Sequence, residues 1–214
     1  MSSFRSGIQN SSNENKSSDV TGVVSLLVRP NNPFTLTETL SPLAADHGLV
    51  FPYTPTVMVG HSATYGTYDI THTIYQPQYY ISTPNPSISI TANFTANSIA
   101  EAKHTAAAIQ FLKTCTKSDF GESRLTTAGT PPPILSLKIY GGSTLNAQNT
   151  PVVVRSMNYT MPEDVNYVET EYGTVPTMLL IACELSVQLS PKTVRKGFDI
   201  GKFAQGNSLG GGFI

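Results

Sequence analysis

Ser87-Ile88-Ser89-Ile90-Thr91-Ala92-Asn93-Phe94-Thr95 is the stretch on which the fold turns. Its apolar residues occupy alternate positions, so on a strand Ile88, Ile90, Ala92 and Phe94 share one face while Ser89, Thr91 and Asn93 share the other. The first face predicts a core, the second a surface kept polar without charge. Directly downstream, Ser98 stands three residues before Glu101, the spacing of a reciprocal helix cap, and Ile99, Ala102, Ala106, Ile109 and Leu112 recur at helical spacing. One amphipathic helix is expected over 98–115, with Glu101, Lys103, His104, Gln110 and Lys113 on its polar side.

Strand patterns extend from this centre in both directions. Upstream, Val23, Val24, Leu26, Leu27 and Val28 predict a buried strand, stopped by the turn-rich Arg29-Pro30-Asn31-Asn32-Pro33. Several strand candidates follow between Leu49 and Ile81, and Pro52, Pro55 and Pro77 push them towards edges or bends. Downstream, Leu135, Leu137 and Ile139 alternate after the rigid Pro131-Pro132-Pro133, and a further strand is expected at Val152–Tyr159. The last strong strand, near Thr177–Leu189, sets Leu179, Ile181, Cys183, Leu185, Val187 and Leu189 on one face. Residues 1–19 read as a flexible arm, 20–206 as one β domain, and 207–214 as a glycine-rich tail whose final Phe213 and Ile214 invite docking on a neighbour.

Composition narrows the function. Charged residues make up 13% of the 214-residue chain, against roughly 25% in ordinary globular proteins. The 22 Ser and 26 Thr residues outnumber the charged ones, so uncharged polar side chains must cover much of the exterior. Interfaces are depleted in Lys, Glu and Asp relative to solvated surfaces, which makes assembly the simplest explanation. A net charge of −1 argues against a dedicated nucleic-acid binder, and the basic cluster Lys192, Arg195, Lys196 and Lys202 is broken by Asp199. Tyr65, Tyr68, Tyr75, Tyr79 and Tyr80 are interface candidates, because tyrosine buries area while keeping a hydrogen-bonding tip. The alternative use of such a cluster is a carbohydrate groove, although the chain has no tryptophan to strengthen one. With no apolar segment of membrane-spanning length and no signal-peptide pattern, the protein is expected to be soluble and made in a reducing cytoplasm.

Catalytic chemistry finds little support. On a strand, Asp69 and His72 would face opposite sides; Asp46 and His47 are adjacent; His61 and His104 lack acidic or thiol partners at useful spacing. Glu163 and Asp164 follow Met161-Pro162 and fit a turn better than an acid–base pair. Cys115 at a helix C-terminal end faces a dipole that disfavours a thiolate, and it reads, like Cys183, as a core residue. Neither a nucleophile elbow nor a phosphate loop occurs. No catalytic residue, metal or cofactor is expected, and a hydrolase is a distant possibility.

A family resemblance runs through these same residues. Phe51-Pro52-Tyr53-Thr54-Pro55-Thr56, Tyr65-Gly66-Thr67-Tyr68 and His72-Thr73-Ile74-Tyr75 closely resemble, in order and spacing, the baseplate tail-tube initiator and tube-junction proteins of contractile-tailed (myovirus) bacteriophages. The likeness continues through residues 88–96, Phe111-Leu112-Lys113-Thr114-Cys115-Thr116-Lys117, Gly129-Thr130-Pro131-Pro132-Pro133, Asp164-Val165-Asn166-Tyr167-Val168 and Gly212-Phe213-Ile214. It covers most of the chain from about Leu49 onward. The resemblance implies a mainly β, tail-tube-like antiparallel sandwich or barrel with one flanking helix, whose extended hairpins join neighbours in a hexameric ring with a central β-barrel. It implies as partners further copies of the chain, the baseplate hub, the tail-tube protein or a second junction ring, and the tape-measure protein and genome passing through the lumen. The expected location is the virion, with assembly in the host cytoplasm. Ser87, Ser89, Thr91, Asn93, Thr95, Glu184, Ser186 and Gln188 are the candidates for a lumen or inter-subunit face. The major tail-tube subunit is the alternative within the same fold.

Overall fold

The structure is a computed structural model describing residues 24–29, 36–118, 129–140, 148–206 and 213–214. The expected N-terminal arm, the break after Arg29 and most of the glycine-rich tail lie outside the described residues. Strands β1 (Ser25–Val28), β2 (Gly48–Val50), β3 (Thr56–Gly60), β6 (Ser87–Thr95), β7 (Leu135–Lys138), β8 (Thr150–Thr160) and β11 (Met178–Val187) form one antiparallel sheet in the order β2-β1-β7-β8-β11-β6-β3. Two ribbons stand apart from it: β4 (Thr64–Thr67) with β5 (Gln78–Ser82), and β9 (Tyr167–Thr170) with β10 (Gly173–Pro176).

The sheet curls. Flat, its two edges would be separated by six strand spacings, about 29 Å. Edge strands β2 and β3 are nevertheless consecutive in the chain, and the six steps from Val50 to Thr56 span at most about 22 Å. The Tyr140 hydroxyl, just past β7, donates a 2.9 Å hydrogen bond to the Pro55 carbonyl beside β3, closing the cup from the other side. The expected mainly β fold with a large antiparallel sheet is therefore present, as one curled sheet. At the β2 edge Gly48 is obligatory, since a Cβ there would stand 2.3 Å from the Leu26 carbonyl oxygen.

Helix α1 (Ile99–Cys115) fills the cup, beside a 3-10 turn at Glu38–Leu43 whose Leu40 and Leu43 are buried. The Glu101 N–H donates to the Ser98 hydroxyl, and the Glu101 carboxylate reaches back to the Asn97 N–H rather than to that of Ser98. The helix buries more than its aliphatic stripe: Thr105, Ala107, Ala108, Phe111 and Cys115 are inside, whereas Ile99 is exposed, correcting the expected face. Two further helices, α2 (Pro191–Gly197) and α3 (Ile200–Ala204), add to the single helix expected from the sequence. Both are capped from the side chain, by Ser190 and Asp199, and neither buries a residue.

His104 is half-buried against this core rather than fully exposed on the polar side of α1. Its ring stacks on Phe94 at 6.4 Å, and burial lowers its pKa below the ordinary imidazole value while the Asp46 carboxylate pulls the other way. On acidification the unfolded chain, with an ordinary imidazole, takes up the proton first. Stability from this group is thus full above about pH 6.5 and declines below it, until the lowered folded-state pKa is passed. The melting temperature is expected to fall between pH 7 and 5.5 more steeply for the parent than for His104→Gln; equal slopes would exclude His104 as the cause.

Candidate self-association surface

β3 and β6 pair directly, with Gly60 opposite Ser87, and the chain between them leaves the sheet until the Pro86 carbonyl accepts from the Val187 N–H of β11. Residues 61–86 form an arm whose stem is the β4–β5 ribbon, with Tyr65 opposite Tyr80 and Gly66 opposite Tyr79. The tyrosines hold the stem together in two pairs. Tyr65 meets Tyr80 edge-on at 6.0 Å, and Tyr68 lies 4.6 Å from Tyr79. Tyr79 lies so close over Gly66 that a Cβ there would come within 2.5 Å of its ring, so only glycine allows this pairing.

The tip is a compact loop of its own. The Tyr68 N–H donates to the Pro77 carbonyl, the Thr73 hydroxyl to the Ile70 carbonyl, and the Gln76 amide to the Asp69 carboxylate. His72 takes a left-handed conformation at φ +64°, so the strand geometry expected for Asp69 and His72 does not hold. Every residue from 61 to 85 except Gly66 is exposed, including Ile70, Ile74, Ile81 and five tyrosines. Asp69 is the arm's one formally charged residue. A lone two-stranded hairpin is marginal in water, and contiguous exposed apolar surface of this kind marks an interaction site.

The eight polar-face candidates form one band on the outer side of the sheet. Ser89 is opposite Glu184, which is itself opposite Ser156; Ser87 pairs with Ser186, Thr91 with Ala182, Asn93 with Leu180 and Thr95 with Met178. Ser156 donates to the Glu184 carboxylate at 3.1 Å, and a shift in strand register at Glu184/Leu185 places Arg155 beside it. Arg155 and Glu184 border a shallow depression of about 270 Å³ with Met58, Gly60, Ser87 and Ser89. Gln188 lies just past β11, its N–H bonded to the Pro151 carbonyl. Sequence reasoning missed that the band turns apolar at its far end, where Met178 and Leu180 are exposed; the alternation that marked β11 as a strand pointed to them.

Phe213 and Ile214 are seated on their own chain. Phe213 is buried and meets Phe198 at 5.4 Å, Phe203 meets Phe198 at 5.6 Å, and Ile214 packs against the main core. The ribbon β9–β10, absent from the sequence reading, covers the flank of α1 through Val168 and Val175. Its turn is tied down by the Lys103–Glu171 ion pair at 2.8 Å.

Chemically reactive groups are not assembled. Among the described residues no three His, Cys, Asp or Glu side chains come together as a metal site. Burial pushes both the Cys115 and Cys183 thiols up to about 12. Neither thiol is expected to react with a thiol-specific dye at pH 8 until the chain unfolds, when both should; rapid labelling of the folded protein would contradict that burial. No described helix is long and apolar enough to cross a membrane. No protein-family model matches the chain, and no curated protein matches it significantly.

Proposed function

We propose that the chain is a structural virion protein of a contractile phage baseplate, forming a six-membered ring on the central hub from which tail-tube polymerisation starts. The observation that carries this reading is the arm, a long exposed hairpin rich in tyrosine and isoleucine and nearly free of charge. A chain with such an arm gains by laying it on a neighbour. The sheet supports the same reading, since it remains open at β2 and β3, and ring closure protects edges that otherwise promote aggregation. In the ring, the Ser87, Ser89, Thr91, Asn93 and Thr95 face continues the lumen. Hydroxyl and amide groups let the tape-measure protein and DNA pass without the tight phosphate binding of a Lys/Arg wall. Hub proteins lie on one side of the ring and the tube protein or a second junction ring on the other.

The test is the copy number of this chain in purified tails, measured by mass spectrometry against the major tube protein. About one ring's worth of copies is expected. A count equal to the tube protein would make it the tube subunit, and absence from the particle would sink the proposal.

A further inference from the structure

Two features lack a partner among the described residues. At the arm tip, Ile74 and Tyr75 are 93% and 87% exposed. On the outer flank of α1, a groove of about 190 Å³ is lined by Ala106, Ile109, Tyr159, Met161 and Tyr172, with Lys113 at its rim. The Lys113 ammonium lies 5.0 Å over the Tyr159 ring. Apolar lining between two half-exposed tyrosines suits one large side chain, and the cation suits a carboxylate beside it.

The chain's own tip does not reach this groove. The arm leaves the sheet where Ser87 pairs with Ser186, whereas Tyr159 pairs with Ile181 towards the opposite end of β11. An arm folded back over the body would bury residues, yet 61–85 are exposed apart from Gly66. A second copy supplies what the groove asks for: an apolar tip with Asp69 as its sole formal charge.

We propose that the Ile74–Tyr75 tip of each copy seats in the α1 groove of the next, with Asp69 facing Lys113. Knob and groove are different surfaces, so the contact is heterologous, the kind whose repetition gives a ring when its rotation closes. This deepens the ring reading, and rests on it, by naming the surface of the neighbour that receives the arm. One tyrosine buries only about 150–250 Å². A stable interface takes about 800 Å² per partner, so the stem lies along the neighbour too.

Single cysteines test the contact, because the native thiols are buried and stay out of the chemistry. Tyr75→Cys and Gln110→Cys chains, mixed and mildly oxidised, are expected to give a covalent dimer of one chain of each kind, and the doubly substituted chain a ladder of multimers. Dimers formed by Tyr75→Cys alone would mean that tips meet tips, which overturns the proposal. Sedimentation showing oligomers without the mixed cross-link would overturn it while leaving the ring reading intact. A chain that remains monomeric at every concentration defeats both. Ile74→Lys, which brings a second cation to a groove that already holds the Lys113 ammonium and must desolvate both, is expected to weaken self-association at least about tenfold with the melting temperature unchanged. Undiminished association of this variant would equally overturn the contact.

Discussion

Replacing residues 61–86 by Asn-Gly is expected to yield a folded chain without the proposed self-association. Gly60 and Ser87 are already paired across β3 and β6, and a two-residue Asn-Gly loop is the turn preferred between such partners. The sheet therefore keeps its register while the arm is removed. No arm side chain is buried in the body, so little packing is lost, and shortening the connection lowers the entropy of the unfolded chain. The melting temperature is expected to stay within about 4 °C of the parent's, a shift corresponding to roughly 1 kcal/mol for a domain of this size. The proposed self-association, by contrast, is expected to be absent from sedimentation profiles. A shortened chain that unfolds would show that the arm is part of the fold. One that still forms rings would remove the arm from the interface and, with it, the main support for a ring built on arms.

The arm also shows where sequence reading stops. Tyrosine and isoleucine between prolines look alike whether a strand is buried or projects into solvent, and only the scarcity of charge hinted at projection. The strand at 87–95 was legible because period-two alternation over nine residues has one physical meaning, and the start of α1 because Ser98 and Glu101 declare it. The face of α1 was legible only in part. Aliphatic spacing selected Ile99, which sits in the first turn and is exposed, and passed over Ala107 and Ala108, whose small side chains carry little signal. Those alanines are buried because α1 is covered by the sheet, the 3-10 turn and the β9–β10 ribbon together, a tertiary fact that no local pattern states. Strands β9 and β10 were missed because each packs on α1 through one aliphatic side chain, Val168 and Val175, which leaves no alternation to count. For α2 and α3 a signal existed: Ser190 before Pro191 and Asp199 before Ile200 are ordinary cap sequences, masked by the glycines that follow.

The largest loss of stability is expected from Phe94→Ala. Phe94 is fully buried near the end of β6, 6.0 Å from Phe51 and stacked on His104, so it joins β6 to the segment linking the two sheet edges and to α1. Removing its ring takes away the transfer energy of a large side chain and leaves a cavity that three different elements would have to collapse to fill. Such substitutions cost about 3–5 kcal/mol. At about 2–4 °C per kcal/mol for a domain of 150–250 residues, the melting temperature should drop by roughly 6–20 °C. The substitution also separates two sources of the pH effect. Without the Phe94 ring, His104 gains access to water, its pKa rises towards the ordinary imidazole value, and the acid-side loss of stability between pH 7 and 5.5 should shrink. A large drop in melting temperature with an unchanged pH slope would mean that His104 is desolvated by neighbours other than Phe94. A drop below about 4 °C would mean that the cup closes over the gap, and that the curl is held by the Tyr140–Pro55 hydrogen bond and the strand ladders more than by the aromatic contact.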